Sequence, residues 1–277
     1  MELNKIVCMD NLLYMKSLPN ESIDLVYCDI LYATGKNFGE YQDIKNDKQL
    51  VMDFYTPRFK EIHRLLKNTG AFYCNCDYKI QHFIRLICDD IFGFKNLRNE
   101  IIWCYKTTLK TSKMSFGKDH DNIYFYAKSK QHKINPDRND FPSSESTVKR
   151  WGKYADKNGF VSNKHFSKSS NNSIANKTKE DGGFNINYGI PRDWWEISSN
   201  VAKGNTNEVE YGKYPTQKPK KLLERIIKTS SNKGDIIADF FCGSGVTGVV
   251  AKELNRSYLL CDINPRAIQL TNLRLSS

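Results

Sequence analysis

Short apolar runs alternate along much of the chain with segments in which apolar positions recur every three to four residues. Six of the runs are rich in β-branched and aromatic side chains and are predicted to be strands: IDLVYC (23–28), AFYCNC (71–76), IIWCYK (101–106), IYFYAK (123–128), DIIADFF (235–241) and SYLLCDI (257–263). Helical periodicity covers Leu50 to Lys67, Ile80 to Phe92, Lys220 to Ser230, Val246 to Leu254 and Pro265 to Leu275. This alternation predicts an α/β fold, a Rossmann-like, doubly wound and mostly parallel sheet covered by helices on both faces.

The alternation stops between about Gln131 and Lys213. Ser, Asn, Lys and Gly dominate there, as in SKSSNNSIANKTKEDGG, and strands are hard to find. This composition predicts an inserted, partly mobile region, and mobile basic inserts are good candidates for ligand contact. We therefore divide the chain into residues 1–130, an insert at 131–213, and residues 214–277, with the first and last parts forming one domain.

Composition narrows the class of protein. No stretch approaches the ~18 consecutive apolar residues of a membrane span, and the N-terminal MELNKIVCMD lacks the pattern of a signal peptide. These features predict a cytoplasmic protein that does not enter a membrane. The eight cysteines form no CxxC pair and no histidine lies at zinc-like spacing, so we expect small buried thiols in a reducing compartment and no metal site.

The net charge of +11 is unevenly distributed. Between Lys106 and Asp181 there are 16 Lys and Arg against 8 Asp and Glu, which gives this segment a charge of +8. A solvated lysine-rich loop has such a charge, but the aromatic residues interleaved with it favour a nucleic-acid partner. The basic residues proposed to contact phosphate are Lys149, Arg150, Lys153, Lys164 and Lys168.

A glycine-rich turn follows the predicted strand at 235–241. Gly243 and Gly245 allow close backbone approach to a ligand, and Asp262 follows Gly243 by 19 residues, near the interval at which an acidic residue binds ribose hydroxyls. An adenosine-containing cofactor is implied, although a purely structural turn and an NAD site of the GxGxxG type remain open. Asp239 favours a cofactor with a positively charged group, because its carboxylate would face the pyrophosphate of NAD unfavourably.

Five segments together resemble the β class of DNA amino-methyltransferases. They are DNLLYMKSLPNESIDLVYCDILY (10–32), HDNIYFYAKS (120–129), YPTQKPKKLLERII (214–227), DFFCGSGVTG (239–248) and LLCDINPRAI (259–268). The order is the circularly permuted one, in which a catalytic tetrapeptide precedes the target-recognition region and the S-adenosylmethionine loop comes last. YATGKNFGEYQD further resembles the modification subunits of Type III restriction systems. The resemblance implies double-stranded DNA as the substrate, a homodimer, and a cognate restriction endonuclease that acts on the same site.

The resemblance also implies roles for individual residues. Asp10 and Asn11 would lie near the adenine of the cofactor and Asp262 near its ribose. Asp29 and Asp239 would also border the cofactor. The loop residues that would line it are Phe241, Gly243, Ser244 and Gly245, and those that would hold its methionine end are Thr216, Gln217 and Lys218.

The catalytic tetrapeptide is Asp29, Ile30, Leu31 and Tyr32. Asp29 and the carbonyl of residue 30 would accept the two N–H groups of the target amine, and Tyr32 would stack on a base flipped out of the duplex. The family pattern is DPPY, so two prolines that stiffen this loop are replaced by Ile30 and Leu31. We therefore expect intact cofactor binding and weak turnover.

Asp29 at the first position of the tetrapeptide resembles the pattern of adenine-N6 enzymes, whereas cytosine-N4 enzymes more often have Ser at this position. Transfer of a methyl group to adenine N6 in duplex DNA is thus the leading hypothesis. The alternatives are cytosine-N4 methylation, a catalytically impaired DNA-binding homologue, an RNA methyltransferase and an NAD-linked oxidoreductase.

Overall fold

The computed structural model describes residues 1–35, 43–105, 114, 116–135, 141–165, 182–189, 191–199 and 217–276. The chain divides into two compact units, Met1–Asn135 with Asp193–Ser277, and Pro136–Arg192. The second unit falls inside the insert predicted at 131–213.

The first unit is built on a sheet that contains eight strands within the described residues. In chain order these are β1 (Lys5–Cys8), β2 (Ile23–Asp29), β3 (Leu66–Cys76), β4 (Leu97–Cys104), β5 (His120–Ala127), β8 (Trp194–Glu196), β9 (Ile236–Asp239) and β10 (Ser257–Asp262). Their spatial order is β1-β10-β9-β2-β3-β5-β4-β8. Only β5 runs antiparallel to its neighbours, so the predicted mostly parallel α/β sheet is confirmed.

Two strands of this sheet were not predicted. β1 is four residues long and β8 three, too short for a periodic pattern to stand out. β8 lies in the predicted insert by sequence, but it pairs with β4 of the main sheet. Strand β3 also begins earlier than expected, because Leu66 is buried and pairs with Ile23.

Helices connect the strands of the first unit. They are α1 (Asn11–Lys16), α2 (Lys48–Leu65), α3 (Gln81–Phe92), α5 (Lys220–Ser230), α6 (Val246–Glu253) and α7 (Pro265–Ser276). In α2, Tyr55, Phe59 and Ile62 recur at helical spacing and are fully buried. Phe59 meets Phe72 of β3 edge to face, with ring centroids 5.2 Å apart. The helix is thereby packed against the middle of β3.

Two glycines at the start of α6 allow close packing. Gly245, at the end of the turn after β9, has φ +76°, and a Cβ there would lie 2.4 Å from Cγ2 of Thr271 in α7. Gly248, inside α6, lets the helix approach β10, since a Cβ there would lie 2.5 Å from Cδ1 of Leu260. Both glycines therefore have a packing role that is independent of any ligand.

The second unit contains helix α4 (Glu145–Trp151) and a hairpin of β6 (Phe160–Ser162) with β7 (Gly183–Asn185). The Trp151 ring packs edge to face on Phe184, with ring centroids 5.7 Å apart. A small aromatic cluster therefore joins the helix to the hairpin.

The eight cysteines form no disulfide; six are buried, Cys104 is partly buried and Cys8 is exposed. Across the described residues, no helix combines the length and apolarity needed to cross a membrane. The same residues contain no group of three or more His, Cys, Asp or Glu that could hold a metal ion.

Candidate active site

A cavity of about 620 Å³ opens at the carboxyl ends of β1, β2, β9 and β10. Ligands bind at this edge of open α/β sheets, because the loops that leave parallel strands converge there. The predicted site residues that line the cavity are Asp10, Asn11, Asp29, Ile30, Leu31, Tyr32, Gln217, Lys218, Asp239, Phe241, Gly243, Ser244 and Asp262. Gly245 is the N-cap of α6, and Thr216 lies outside the described residues.

Asp29 ends β2 and carries the carboxylate at the centre of the cavity. Its Oδ1 accepts a hydrogen bond from Asn75 Nδ2 at 2.9 Å and one from the Tyr32 hydroxyl at 3.2 Å, and it pairs with Lys218 Nζ at 3.0 Å. Burial raises the pKa of Asp29, and the ammonium of Lys218 opposes this rise. The carboxylate is thus a partly desolvated base whose ionised form is held by a cation.

The hydroxyl of Tyr32 is the hub of a polar network. It accepts hydrogen bonds from Lys218 Nζ at 2.7 Å and Asn75 Nδ2 at 2.8 Å, and its proton faces Asp29 Oδ1 and Asp121 Oδ2, the latter at 3.0 Å. The Tyr105 hydroxyl donates to Asp121 Oδ1 at 2.9 Å. Burial and the nearby carboxylates raise the pKa of Tyr32, so it remains a neutral phenol at neutral pH.

Lys218 lies between the carboxylates of Asp29 and Asp121. Its ammonium contacts Asp29 and Tyr32 and lies 4.0 Å from Asp121, and its role at the methionine end of the cofactor remains a prediction. One cation therefore lies between two carboxylates. This placement makes Lys218 a candidate for orienting the catalytic carboxylate.

Several residues of the site had no role assigned from the sequence. They are Asn75, Asp121, Trp103, Tyr105 and Arg58. Asn75 lies opposite Asp29 in the β2–β3 pairing, and Asp121 lies beside Trp103 in the β4–β5 pairing. Asp121 belongs to the segment HDNIYFYAKS, and a buried acid at the edge of a strand was a signal that could have identified it.

The other side of the cavity contains two further carboxylates. Asp262 accepts hydrogen bonds from the backbone N–H of Gly243 at 2.8 Å and of Asn264 at 2.9 Å, and so holds the glycine turn. Asp10 caps α1 through Leu13 N and also forms an ion pair with Arg58 Nη2 at 2.7 Å. Both residues therefore have structural tasks at the edge of the cavity.

Asn11 and Gln217 are fixed by arginines. Arg58 Nε donates to Asn11 Oδ1 at 2.7 Å, while Asn11 Nδ2 donates to the Phe240 carbonyl at 2.8 Å. Arg274 of α7 donates to Gln217 Oε1 at 2.6 Å and to the Ser244 carbonyl at 2.9 Å. These bonds hold the polar rim of the cavity in one arrangement.

Asp239 is a buried carboxyl at the end of β9. It accepts hydrogen bonds from Thr247 Oγ1 at 2.5 Å and Phe241 N at 3.0 Å. Burial, with a smaller contribution from the carboxylates of Asp29 and Asp262, raises its pKa from 3.8 to about 7. A cationic group placed beside it would favour its ionised form.

The candidate phosphate contacts lie in the second unit. Lys149 and Arg150 are in the last turn of α4, and Lys153 and Lys164 are in 3₁₀ turns; all four are exposed. Lys168 lies outside the described residues. Exposure fits phosphate contact and simple solvation equally, so their role remains a prediction.

The chain matches known proteins along nearly its whole length. The family model described as DNA methylase (N6_N4_Mtase) matches residues 23–273. The chain is 30% identical over 276 residues to the DNA adenine methyltransferase YhdJ of Escherichia coli K12, covering 99% of this chain and 83% of the relative. It is also 30% identical to the Type II methyltransferase M.HpaI of Haemophilus parainfluenzae, covering 99% and 74%.

Solved structures share the fold at low identity. The PvuII DNA methyltransferase (cytosine-N4-specific) has a TM-score of 0.67 at 18% identity, covering 99% of this chain and 86% of that one. A putative DNA modification methylase of Thermus thermophilus, complexed with S-adenosyl-L-methionine, has a TM-score of 0.62 at 18% identity, covering 99% and 93%. The fold class and the family predicted from the sequence are confirmed, which removes the oxidoreductase alternative. The chain therefore belongs to the family of N6 and N4 DNA methylases.

Proposed function

We propose that the protein transfers a methyl group from S-adenosylmethionine to the exocyclic N6 of an adenine flipped out of duplex DNA. The observation that carries this proposal is the position of Asp29. Its carboxylate lies at the end of β2, beside the Tyr32 ring and in the same cavity as the glycine turn. Adenine is favoured over cytosine because Asp begins the tetrapeptide, and because the relative YhdJ is an adenine methyltransferase.

The residues of the cavity fit S-adenosylmethionine. Asp10, Asn11, Asp239 and Asp262 all line the cavity. In this proposal Asp262 would hold ribose hydroxyls, Asp10 and Asn11 would lie near the adenine, and Asp239 would offer a carboxylate to a cationic group. Tyr27 also lines the cavity, and its buried hydroxyl has no hydrogen-bond partner among the described residues. Such a hydroxyl is costly unless a ligand pairs with it. When bound, the cofactor supplies an electrophilic methyl group on a sulfonium.

The protein's own groups prepare the amine for methylation. The three contacts of Asp29 described above all use Oδ1, so Oδ2 would accept one N–H of the amino group and the Ile30 carbonyl the other. The nitrogen lone pair, otherwise delocalised into the base, then turns toward the methyl carbon. As the N–C bond formed, the bond between the methyl group and sulfur would break, leaving its electron pair on a neutral thioether, and the amine would lose one proton. Asp29 can accept that proton because burial raises its pKa.

Tyr32 and Lys218 hold this geometry. The hydrogen bonds to the hydroxyl of Tyr32 hold the end of the ring on which the flipped base would stack. Lys218 keeps Asp29 ionised before the reaction, with its ammonium 5.1 Å from the centre of the Tyr32 ring. Catalysis would thus depend on positioning and electrostatics, without a covalent intermediate.

The direct test is transfer of labelled methyl from S-adenosylmethionine to mixed-sequence duplex DNA, followed by digestion to nucleosides. We expect N6-methyladenine. Label in N4-methylcytosine would instead assign the other activity of the family. Loss of the signal when excess RNA is added, with label in RNA nucleosides, would point to an RNA substrate. Cofactor binding without any transfer would identify an impaired DNA-binding homologue.

The affinity for S-adenosylmethionine is expected to depend on pH through Asp239. Its pKa in the folded protein, about 7, lies above the 3.8 of the free group. Its contribution to stability is therefore fully present below about pH 4 and is lost as the pH rises through 7. Binding of a cation favours the ionised form, so affinity should rise about tenfold from pH 6 to pH 8.

Calorimetric titrations at these pH values check this expectation. Asp239→Asn is the control, because it keeps the side-chain volume and removes the ionisation. The dependence of affinity on pH that remains in this variant measures the ionisation of the cofactor's own amine. Equal slopes in the two proteins would contradict the role of Asp239.

The exposed basic residues of the second unit are expected to contact DNA phosphates. The variant that tests this carries Lys149→Ala, Arg150→Ala, Lys153→Ala and Lys164→Ala. If all four residues contact phosphate, the slope of log affinity against log salt should become shallower by roughly 3 to 4, about 0.9 per contact. The affinity should fall to a similar extent for all DNA sequences.

A control variant removes four exposed lysines of the first unit, Lys16, Lys60, Lys95 and Lys233. It lowers the net charge equally, so it isolates the effect of position. If both variants show the same slope as the wild type, the four residues of the second unit are simply solvated.

A further inference from the structure

The loop after β2 is held in place although it lacks both prolines of the DPPY pattern. Ile30 is 2% exposed and belongs to the hydrophobic core, and its N–H donates to the Asn75 carbonyl at 3.3 Å. This bond extends the β2–β3 pairing by one residue beyond Asp29. Leu31 is partly exposed, and its carbonyl accepts a hydrogen bond from the Tyr55 hydroxyl at 3.0 Å.

Tyr55 is a rigid donor. It lies inside the 18-residue helix α2 and is fully buried. Its ring meets Phe54 edge to face at 5.0 Å between centroids, Phe59 at 5.5 Å and Phe241 of the cofactor loop at 6.3 Å. Burial raises the pKa of Tyr55 well above 10, so the hydroxyl keeps its proton at neutral pH.

The Leu31 carbonyl belongs to the peptide that leads into Tyr32. Fixing this oxygen restricts ψ of residue 31 and hence the direction in which the Tyr32 ring leaves the backbone. A proline at position 31 restricts φ of the same residue. The hydrogen bond to the Leu31 carbonyl and a proline at position 31 therefore both restrict the backbone dihedrals of residue 31.

Beyond Tyr32 the loop is anchored again. Ala33 is buried with φ +50°, and Asp43 Oδ2 accepts hydrogen bonds from Thr34 N at 2.7 Å and Thr34 Oγ1 at 2.6 Å. The segment between Asp29 and Thr34 is thus fixed at both ends. The middle of the segment is held by the hydrogen bond from Tyr55 of α2 to the Leu31 carbonyl.

We propose that Tyr55 is a positioning residue for the catalytic loop, and that its hydrogen bond to the Leu31 carbonyl does the work that proline does in the DPPY pattern. This inference rests on the proposed methyl transfer. It changes the expectation for turnover. Because a tertiary contact orders the loop, we expect kcat to be maintained although the two prolines are missing.

The test combines Tyr55→Phe with Leu31→Pro. Tyr55→Phe removes only the hydroxyl, and it should lower kcat roughly 10- to 100-fold, because small misplacements of catalytic groups have effects of that size. The KM for S-adenosylmethionine should stay within about twofold. In the Leu31→Pro background the same substitution should cost much less. Position 31 is the better site for proline, because Ile30→Pro would remove the bond to the Asn75 carbonyl.

A second readout does not depend on activity. Hydrogen exchange of the amides at 31 to 34 should be faster in Tyr55→Phe than in the wild type, and slow again at 32 to 34 in the double variant. Tyr73→Phe is the matched control, since Tyr73 is 1% exposed and its hydroxyl is bonded to Ser230 Oγ at 2.8 Å, away from the cavity. It should keep the kcat and the loop exchange of the wild type.

The outcomes separate the two proposals. If the wild type transfers no methyl group to DNA, the proposed function is overturned, and the exchange rates alone decide whether Tyr55 orders the loop. If the wild type is active but Tyr55→Phe keeps its kcat and its loop exchange, Tyr55 is only a core residue and the inference is wrong. An equal loss of kcat with and without Leu31→Pro would also overturn it, because the hydrogen bond and the proline would then act on different features.

Discussion

Asp29→Ala should lower the rate of methyl transfer by roughly 10²- to 10³-fold, the range found when one preorganised catalytic contact is removed. In the proposed mechanism the carboxylate accepts an N–H of the target amine and then its proton, and no neighbouring group can replace it in both tasks. Asn75 presents its amide nitrogen to this position, Lys218 can only donate, and Asp121 is hydrogen-bonded to tyrosine hydroxyls. The affinity for S-adenosylmethionine should fall far less than the rate.

Asp29→Asn distinguishes charge from shape. It keeps the volume and one oxygen for Lys218 but cannot take up a proton, so it should be nearly as inactive as the alanine variant. Rates are measured in single-turnover assays at saturating cofactor and DNA. Asp53→Asn, an exposed carboxylate on α2, is the control and should behave as the wild type. If Asp29→Asn retains more than a tenth of the wild-type rate, Asp29 does not act as the acceptor.

The second large effect is expected at Asp262. In Asp262→Ala the affinity for S-adenosylmethionine should fall roughly 100-fold, which corresponds to two charge-assisted hydrogen bonds of about 1.5 kcal/mol each. The same carboxylate holds Gly243 N and Asn264 N. Its removal therefore also loosens the glycine turn that faces the cofactor.

Calorimetry gives the affinity, and thermal unfolding without ligand gives the stability. Asp235→Ala is a suitable control. Asp235 lies at the amino end of β9, whereas the cavity lies at the carboxyl ends of the strands. The Asp235 carboxylate pairs with Lys133 at 2.6 Å. We expect both variants to lose stability and only Asp262→Ala to lose cofactor affinity. An affinity loss of the same size in both variants would show that Asp262 acts only through the fold.

Lys218 connects the two halves of the proposed mechanism. It belongs to the segment YPTQKP, which the family resemblance places at the methionine end of the cofactor. Its ammonium nevertheless contacts Asp29 and Tyr32. A residue of the segment expected to hold the cofactor thus contacts Asp29, the carboxylate proposed to act in catalysis.

The local pattern of the sequence determined six of the eight described strands of the sheet, most of its helices and the carboxylates that end its strands. Buried parallel strands are continuous apolar runs, so an acid directly after such a run marks a strand end; Asp29, Asp239 and Asp262 all follow this rule. Glycine spacing identified the turn at 243–248, because close backbone packing excludes other residues there.

Only the tertiary structure decided which groups meet in the site. Asn75 is 46 residues from Asp29, Asp121 is 89 residues from Tyr32, and Lys218 is 186 residues from Tyr32. Such contacts follow from the strand order and from the pairing of β2 with β3 and of β4 with β5, and neither leaves a periodic signal in the chain. The anchoring of Leu31 by Tyr55 has the same origin: read alone, DILY indicates a loosened loop, and the hydroxyl that orders it comes from a helix packed against the sheet.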